Sequence, residues 1–207
     1  MSKRTLQIAQ IVPITEAEGP GTRFAIWMQG CPLRCSGCCN PEMLKFEGGK
    51  TTPVEELIKQ ILDNAKDNVY LEGITLLGGE PFSHARGLDQ VAKAVQEHGL
   101  TVMAFTGFLL EDLREREDSY IDRLIRHTDI LVDGPYDRER PDSTRRWIGS
   151  ANQRVHFLSN RYAEADSHWE RKDTLEIRLQ GNQLTVNGFP AKNAVGVWKR
   201  PKVSHQE

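Results

Sequence analysis

Short apolar runs and amphipathic stretches alternate along the first 133 residues of the chain. The apolar runs, each suited to a buried strand, are residues 6–12, 23–28, 73–77, 100–105 and 129–132. Between these runs lie stretches with apolar residues at helical spacing, at residues 52–62, 86–98 and 109–126. The last stretch is broken near Asp118. Strands that alternate with helices predict right-handed βαβ units and a parallel sheet.

The first predicted helix has a start signal in its sequence. Thr52 is a candidate N-cap, Pro53 suits the first helical position, and Glu55 completes a capping box. Polar motifs follow the ends of the predicted strands, which is where open α/β sheets and barrels bind their ligands.

The pattern changes after about Tyr162. Apolar and polar residues alternate over residues 174–179, Gly181-Asn182 predicts a turn, and residues 184–186 predict a second strand. Together they predict a β-hairpin. We therefore expect an α/β fold, with an open partial (β/α)6 barrel at residues 1–160. A small C-terminal β-hairpin extension and a polar tail would occupy residues 161–207. A full eightfold barrel needs about 250 residues, more than the chain offers before Tyr162.

Composition excludes some functions. Lys+Arg 27 against Asp+Glu 29 gives a formal charge of −2, which argues against a nucleic-acid partner because such binders need clustered cations. No run approaches the ~18 consecutive apolar residues of a membrane span. The N-terminus shows no continuous apolar stretch typical of a secretory signal, so we expect a cytoplasmic protein without a membrane partner.

Four cysteines lie within nine residues: Cys31, Cys35, Cys38 and Cys39. A disulfide scaffold would spread them along the chain, whereas clustered thiols in a reducing cytosol bind metal or do redox work. Three thiolates on one tight loop would leave one iron of a [4Fe–4S] cluster without a protein ligand, because such clusters normally take four. A zinc site, which needs a fourth ligand, and a merely structural cluster of thiols remain open alternatives.

The spacing Cys31-x3-Cys35-x2-Cys38 resembles the cluster motif of radical S-adenosylmethionine (SAM) enzymes. Leu77-Gly78-Gly79-Glu80-Pro81 is similar to the glycine-rich motif of that superfamily. Three further stretches resemble one branch, the activating proteins of anaerobic ribonucleoside-triphosphate reductase. They are residues 19–23, residues 105–108, and residues 132–134 followed by 149–156.

The resemblance implies a cofactor, a reaction and partners. Cys31, Cys35 and Cys38 would hold a [4Fe–4S] cluster whose open iron is chelated by SAM. One electron from the reduced cluster would split SAM into methionine and a 5′-deoxyadenosyl radical. In the family this radical takes a hydrogen atom from a glycine of a partner, here a glycyl radical enzyme such as anaerobic ribonucleotide reductase. A one-electron reductant such as flavodoxin or ferredoxin would supply the electron.

The resemblance also implies a SAM pocket. Its residues would be Gly37, Cys39, Gly78, Gly79, Glu80, Pro81, Thr106, Gly107 and Asp133. The glycine pair would let the backbone approach the methionine part of SAM, and Glu80 would position its amino group. Gly37 and Cys39 would lie near the adenine. The alternatives are a tight turn at Gly78-Gly79, a plain turn at Asp133-Gly134-Pro135, and a packing role for Cys39.

Some features depart from the family pattern. Relatives place an aromatic residue on one side or the other of the third cysteine, where this chain has Gly37 and Cys39. Residues 136–147 form a long polar insertion, and the C-terminal extension is also additional. A second hypothesis therefore keeps SAM cleavage but changes the target, to a small molecule or a peptide, as in a 7-carboxy-7-deazaguanine synthase-like enzyme. A third is a non-catalytic iron–sulfur or zinc module, against which the intact Gly78–Pro81 motif argues.

Overall fold

A computed structural model of the chain describes residues 4–170, 174–181 and 183–188. Its main sheet has seven strands in the order β3-β1-β2-β4-β5-β6-β7. The strands are β1 (Thr5–Thr15), β2 (Thr22–Met28), β3 (Lys50–Pro53), β4 (Leu71–Gly78), β5 (Thr101–Phe105), β6 (Ile130–Asp133) and β7 (Arg154–Phe157). Four neighbours, β2, β4, β5 and β6, run parallel. The strands β1, β3 and β7 pair antiparallel at the two sides.

Four α-helices connect the strands, in the positions that the apolar stripes predict. They are α1 (Val54–Asp67), α2 (Ala85–Glu97), α3 (Leu110–Glu115) and α4 (Ser119–Arg126). Asp118 caps α4 by accepting hydrogen bonds from Tyr120 N and Ile121 N, which accounts for the break between α3 and α4.

Apolar residues fill both faces of the parallel strands. On β2, Phe24, Ile26 and Met28 join the large core formed with the helices. The alternate residues Ala25 and Trp27, on the other face of the strand, belong to a second, smaller core cluster. Because both faces are covered, the strand reads as a continuous apolar run rather than an alternating one.

The structure confirms the α/β class and a central parallel sheet, but it does not confirm a six-unit (β/α) barrel. Four of the seven strands are parallel and the sheet does not close. Strand β3 was missed, and the predicted cap at Thr52 is wrong. Thr52 lies in β3 opposite Leu6, and Pro53 occupies the N-cap position of α1. The pairing with β1 holds Thr52 in the strand, so the helix begins at Val54, one residue later than predicted.

The C-terminal hairpin is present as β8 (Leu175–Gln180) and β9 (Gln183–Gly188). It contacts the turn after β1 through polar groups: Gly188 N donates to Glu18 Oε1 (2.6 Å) and Asn187 Nδ2 donates to Thr15 Oγ1 (2.8 Å). The predicted polar tail lies outside the described residues. No helix in the described part of the chain is long and apolar enough to cross a membrane.

Candidate functional site

The predicted motifs meet at the carboxyl ends of the four parallel strands. The cysteine loop follows β2, the glycine-rich turn follows β4, Thr106-Gly107 follows β5, and Asp133 ends β6. Backbone hydrogen bonds join the first two segments, since Gly79 N donates to Met28 O (2.8 Å) and Glu80 N donates to Gly30 O (2.9 Å). The glycine-rich turn is therefore hydrogen-bonded directly to the base of the cysteine loop.

The cysteine loop is fixed at its base by Gln29, which is 6% exposed. Its Nε2 donates to Lys45 O (2.7 Å) and Glu42 O (3.2 Å), so one side chain holds the returning arm of the loop. Gly30 N donates to Met43 O (2.9 Å) and Cys31 N to Leu44 O (3.1 Å). These bonds give the loop a rigid base on either side of the first cysteine.

The thiols of the loop differ in exposure. Cys31 is buried, Cys35 and Cys38 are half-buried, and Cys39 is exposed; all four are free. Cys38 N donates to Cys35 O (3.2 Å), which closes a turn between the second and third cysteines. A hydrogen bond with the Cys39 thiol lowers the pKa of Cys38, and the thiolate is the form that binds metal.

The donor set fits an iron–sulfur cluster, although the thiols are not gathered around a centre. Among the described residues, no three His, Cys, Asp or Glu side chains stand in an arrangement that could hold a metal ion. Three free thiols at this spacing are nonetheless the donors that such clusters take. Cys31, Cys35 and Cys38 are the residues that would hold such a cluster, on a loop whose base is fixed by hydrogen bonds.

Glu80 links the glycine-rich turn to the next strand. Its side chain is 1% exposed. Oε1 accepts hydrogen bonds from Phe82 N and Thr106 Oγ1, and Oε2 accepts one from Gly107 N, each at 2.9 Å. Burial raises the pKa of Glu80 to about 7, and these three donors oppose the rise. The carboxyl group therefore brings Glu80, Thr106 and Gly107 together.

Close packing, against backbone at Gly78 and Gly79 and against a side chain at Gly107, explains the glycines here. A Cβ on Gly79 would lie 2.4 Å from Gly30 O, and one on Gly78, where φ is +101°, would lie 2.6 Å from Met28 N. A Cβ on Gly107 would lie 2.4 Å from Leu33 Cδ1. The structure thus brings the cysteine loop, the glycine turn and Gly107 into contact. Pro81, which is buried, begins a short 3-10 helix.

Two of the remaining predicted pocket residues, Gly37 and Asp133, are held by contacts with other segments. Gly37, where φ is +77°, packs against the Arg138 side chain. Asp133 has a fully buried side chain that accepts hydrogen bonds from Leu110 N (2.8 Å) and from the Arg154 guanidinium. Burial opposes its charge, but these bonds keep the pKa of Asp133 below its usual range. Asp133 therefore fixes the start of α3 against β7.

Sequence reasoning missed Gln29, Leu33 and Phe46. The ring of Phe46 covers Gly30, where a Cβ would lie 2.4 Å from its Cδ1, and φ is +102°. One signal was available for Gln29, because a polar residue directly follows the apolar run 24–28. The contacts of Leu33 and Phe46 depend on tertiary packing alone.

Comparison with known proteins agrees with this site. The model of a family described as a 4Fe–4S single cluster domain matches residues 17–156, which is more than half of the chain. The chain thus belongs to a class of iron–sulfur proteins.

Curated relatives narrow the class. The anaerobic ribonucleoside-triphosphate reductase-activating protein of Vibrio cholerae is 32% identical over 152 residues, covering 71% of this chain and 95% of the relative. The protein of the same name from Salmonella typhimurium is 30% identical over 154 residues, covering 72% and 97%. This chain belongs to the 4Fe–4S single cluster domain family, in the branch of the anaerobic ribonucleoside-triphosphate reductase-activating proteins.

Among solved structures, QueE from Escherichia coli aligns with this chain with a TM-score of 0.40 and 17% identity. The alignment covers 50% of this chain and 53% of QueE. A likeness at this level carries no conclusion about fold or function.

Proposed function

We propose that this protein is a radical SAM enzyme that generates a glycyl radical on anaerobic ribonucleoside-triphosphate reductase. The observation that supports it most is the meeting of three segments at one sheet edge: the cysteine loop, the glycine turn and Thr106-Gly107. Glu80 bonds to the last of these, and its backbone bonds to the base of the first.

Cys31, Cys35 and Cys38 would hold a [4Fe–4S] cluster, which supplies one-electron reduction of bound SAM when it is present. Gly78 and Gly79 shape the turn beside the cysteine loop. Glu80 has one bond on Oε2, which leaves acceptor capacity there for the amino group of SAM.

The other pocket residues have supporting roles in this proposal. Thr106 and Gly107 hold the Glu80 carboxyl group, and Pro81 starts the helix that follows it. Gly37 and Cys39 would lie on the adenine side of SAM. Asp133 acts indirectly, because its bonds to Leu110 N and Arg154 shape the edge of the pocket.

The relatives support this target, because their names describe them as activating anaerobic ribonucleoside-triphosphate reductase. They align over 95–97% of their own length, so the part of this chain that matches them spans nearly a whole activating protein. The small-molecule and non-catalytic alternatives have no comparable support.

The remaining assignments complete the proposal. A flavodoxin or ferredoxin would supply the electron in the cytoplasm, and no nucleic acid would take part. The chain would divide near residue 160 into a radical SAM domain and a C-terminal extension. The family match, which ends at residue 156, supports this boundary.

The test is anaerobic. The protein would be reconstituted with iron and sulfide, reduced with dithionite and given SAM, and 5′-deoxyadenosine would be measured by chromatography. The reductase would then be added and its glycyl radical followed by electron paramagnetic resonance. We expect both products. A loaded protein that forms 5′-deoxyadenosine but no protein radical would contradict the assigned target.

A further inference from the structure

Three arginines surround one tyrosine ring beside the helices α2 and α4. The side chains are those of Arg4, Arg86 and Arg123. Their guanidinium carbons lie 5.4, 5.7 and 4.5 Å, in that order, from the centroid of the Tyr120 ring. Arg86 is in the first turn of α2, Tyr120 and Arg123 belong to α4, and Arg4 directly precedes β1. These four residues are referred to below as the arginine group.

The arginine group lies towards the same edge of the sheet as the cysteine loop. Helix α2 follows the carboxyl end of β4, and α4 leads into the amino end of β6, so both helices begin at this edge. Strand β1 runs antiparallel to β2, which places Arg4 there as well. None of the four residues belongs to the proposed SAM pocket.

Hydrogen bonds hold the arginine group in place. Arg123 Nε donates to Asp89 Oδ2 (2.9 Å), and Arg123 Nη1 donates to Ser119 Oγ (3.3 Å). Arg4 Nη1 donates a long bond to Arg86 O (3.5 Å). Arg4 and Arg123 are half-buried, so their side chains are confined against the ring.

The chain does not balance the positive charge of this group. Asp89, which is 4% exposed, pairs with Arg123. In the part of the chain that the structure describes, no ion pair engages Arg4 or Arg86. Charges around one ring are separated by distances comparable with the Debye length of ~10 Å or shorter, so salt screens their repulsion only in part. An anion that arrives from outside would relieve this repulsion.

The excess charge and the free donors select a phosphate group. A phosphate monoester carries about −1.5 to −2 charges at pH 7, which matches two unpaired arginines better than a single carboxylate does. Its oxygens accept the paired N–H groups of guanidinium forks. The Tyr120 hydroxyl, which has no hydrogen-bond partner among the described residues, can supply one more donor.

The neighbouring surface argues against a large polyanion as the occupant. The segment just before α4 is exposed and carries the acidic residues Glu111, Asp112, Glu115, Glu117 and Asp118. An acidic protein surface or a nucleic acid would have to cover these carboxylates as well. A single phosphate group needs to contact only the arginines.

We infer that Arg4, Arg86 and Arg123 bind the phosphate group of a small phosphorylated ligand, either inorganic phosphate or a nucleotide. The three guanidinium groups donate to the phosphate oxygens, and Tyr120 holds the arginines around the bound group. This site is additional to the proposed cluster and SAM pocket.

The test uses the full-length, cluster-loaded protein without oxygen, at neutral pH and constant ionic strength. Isothermal titration calorimetry measures the binding of inorganic phosphate, ATP and acetate. We expect phosphate and ATP to bind, and acetate to bind at least about tenfold more weakly because it carries less charge. Arg4→Ala and Arg86→Ala should each raise the Kd for phosphate about tenfold, the effect of one lost charge-assisted hydrogen bond. Arg86→Lys keeps the charge but not the planar fork, and should recover only part of the binding.

Arg126→Ala is the matched control. It removes one exposed arginine from the same helix as Arg123, and therefore changes the net charge equally. It should bind phosphate as the wild type does. Melting temperature separates binding from structure, because phosphate should raise it in wild type and in Arg126→Ala but not in Arg86→Ala. Without phosphate, Arg86→Ala should melt no lower than wild type, since it relieves repulsion.

The affinities for the two phosphate probes identify the source of the group. Equal affinities would support inorganic phosphate, and tighter binding of ATP through the same arginines would support a nucleotide. Absence of binding to wild type at about 10 mM of either probe would overturn the inference. A wild-type Kd in both Arg4→Ala and Arg86→Ala, or equal weakening in Arg126→Ala, would overturn it as well. These measurements need neither SAM nor the reductase, so their failure would leave the proposed function intact.

Discussion

Single side chains shape the site as much as the motif residues do. Gln29 and Phe46 are examples, since the first fixes the returning arm of the cysteine loop and the second covers Gly30. The spacing of the cysteines and the Gly78–Pro81 motif could be found from the sequence because both are local. Gln29 could not be assigned its role, because the carbonyls that it bonds are 13 and 16 residues away.

Gln29→Glu tests this role. The substitution replaces a donor with an acceptor that faces carbonyl oxygens, so it should destabilise the protein by about 1–3 kcal/mol and weaken cluster retention. Urea unfolding and iron content after gel filtration measure the two effects. Gln10→Glu on β1 is the control for the added charge. Equal stability of the two variants would show that Gln29 does not hold the returning arm of the cysteine loop.

Elements depend on pairings that the local pattern does not contain. The capping box at Thr52 is a good local signal, but pairing between β1 and β3 extends the strand through it. Strand β7 was also missed, since its four residues are only half-buried and carry no apolar run. The parallel strands and the break before α4 were predicted, because long apolar runs and a cap residue carry those signals by themselves.

The turn after β4 can be tested with two glycines of similar conformation. Gly78 and Gly48 have φ of +101° and +98°, but a Cβ on Gly78 meets the backbone of β2 and one on Gly48 meets nothing within 4 Å. Gly48→Ala should cost about 1–2 kcal/mol of unfolding free energy. Gly78→Ala should cost about 1–3 kcal/mol more, because a backbone contact cannot yield easily. Equal costs in denaturant unfolding would show that the turn tolerates a side chain.

At the scale of the molecule, the C-terminal hairpin docks by its polar groups. Arg178 and Asn187 bond to the end of β1, whereas Ile177, Leu179 and Leu184 are 56%, 74% and 64% exposed. Alternation in the sequence predicts the two strands but not which face meets the rest of the protein. That choice depends on Glu18 and Thr15, which lie far away in the chain.

Docking of the hairpin should depend on pH through Glu18. Burial raises its pKa to about 7 from 4.5, with Glu176 adding to the rise and Gly188 N, Asn187 and Arg178 opposing it. The protonated group thus contributes stability that is present below pH 4.5 and is lost as the pH rises through 7. Wild type should lose on the order of 2 kcal/mol between pH 5 and pH 8 relative to Glu18→Gln. Parallel pH profiles of the two proteins in urea unfolding would contradict this.

Cluster loading in variants that each lack one cysteine tests most simply whether Cys31, Cys35 and Cys38 hold a [4Fe–4S] cluster. Iron and sulfide per chain would be counted after anaerobic reconstitution of wild type, Cys35→Ala and Cys39→Ala. We expect about four irons in wild type and in Cys39→Ala, and a large loss in Cys35→Ala. Full loading of Cys35→Ala, or uptake of a single zinc ion by wild type, would refute the assignment of these three ligands.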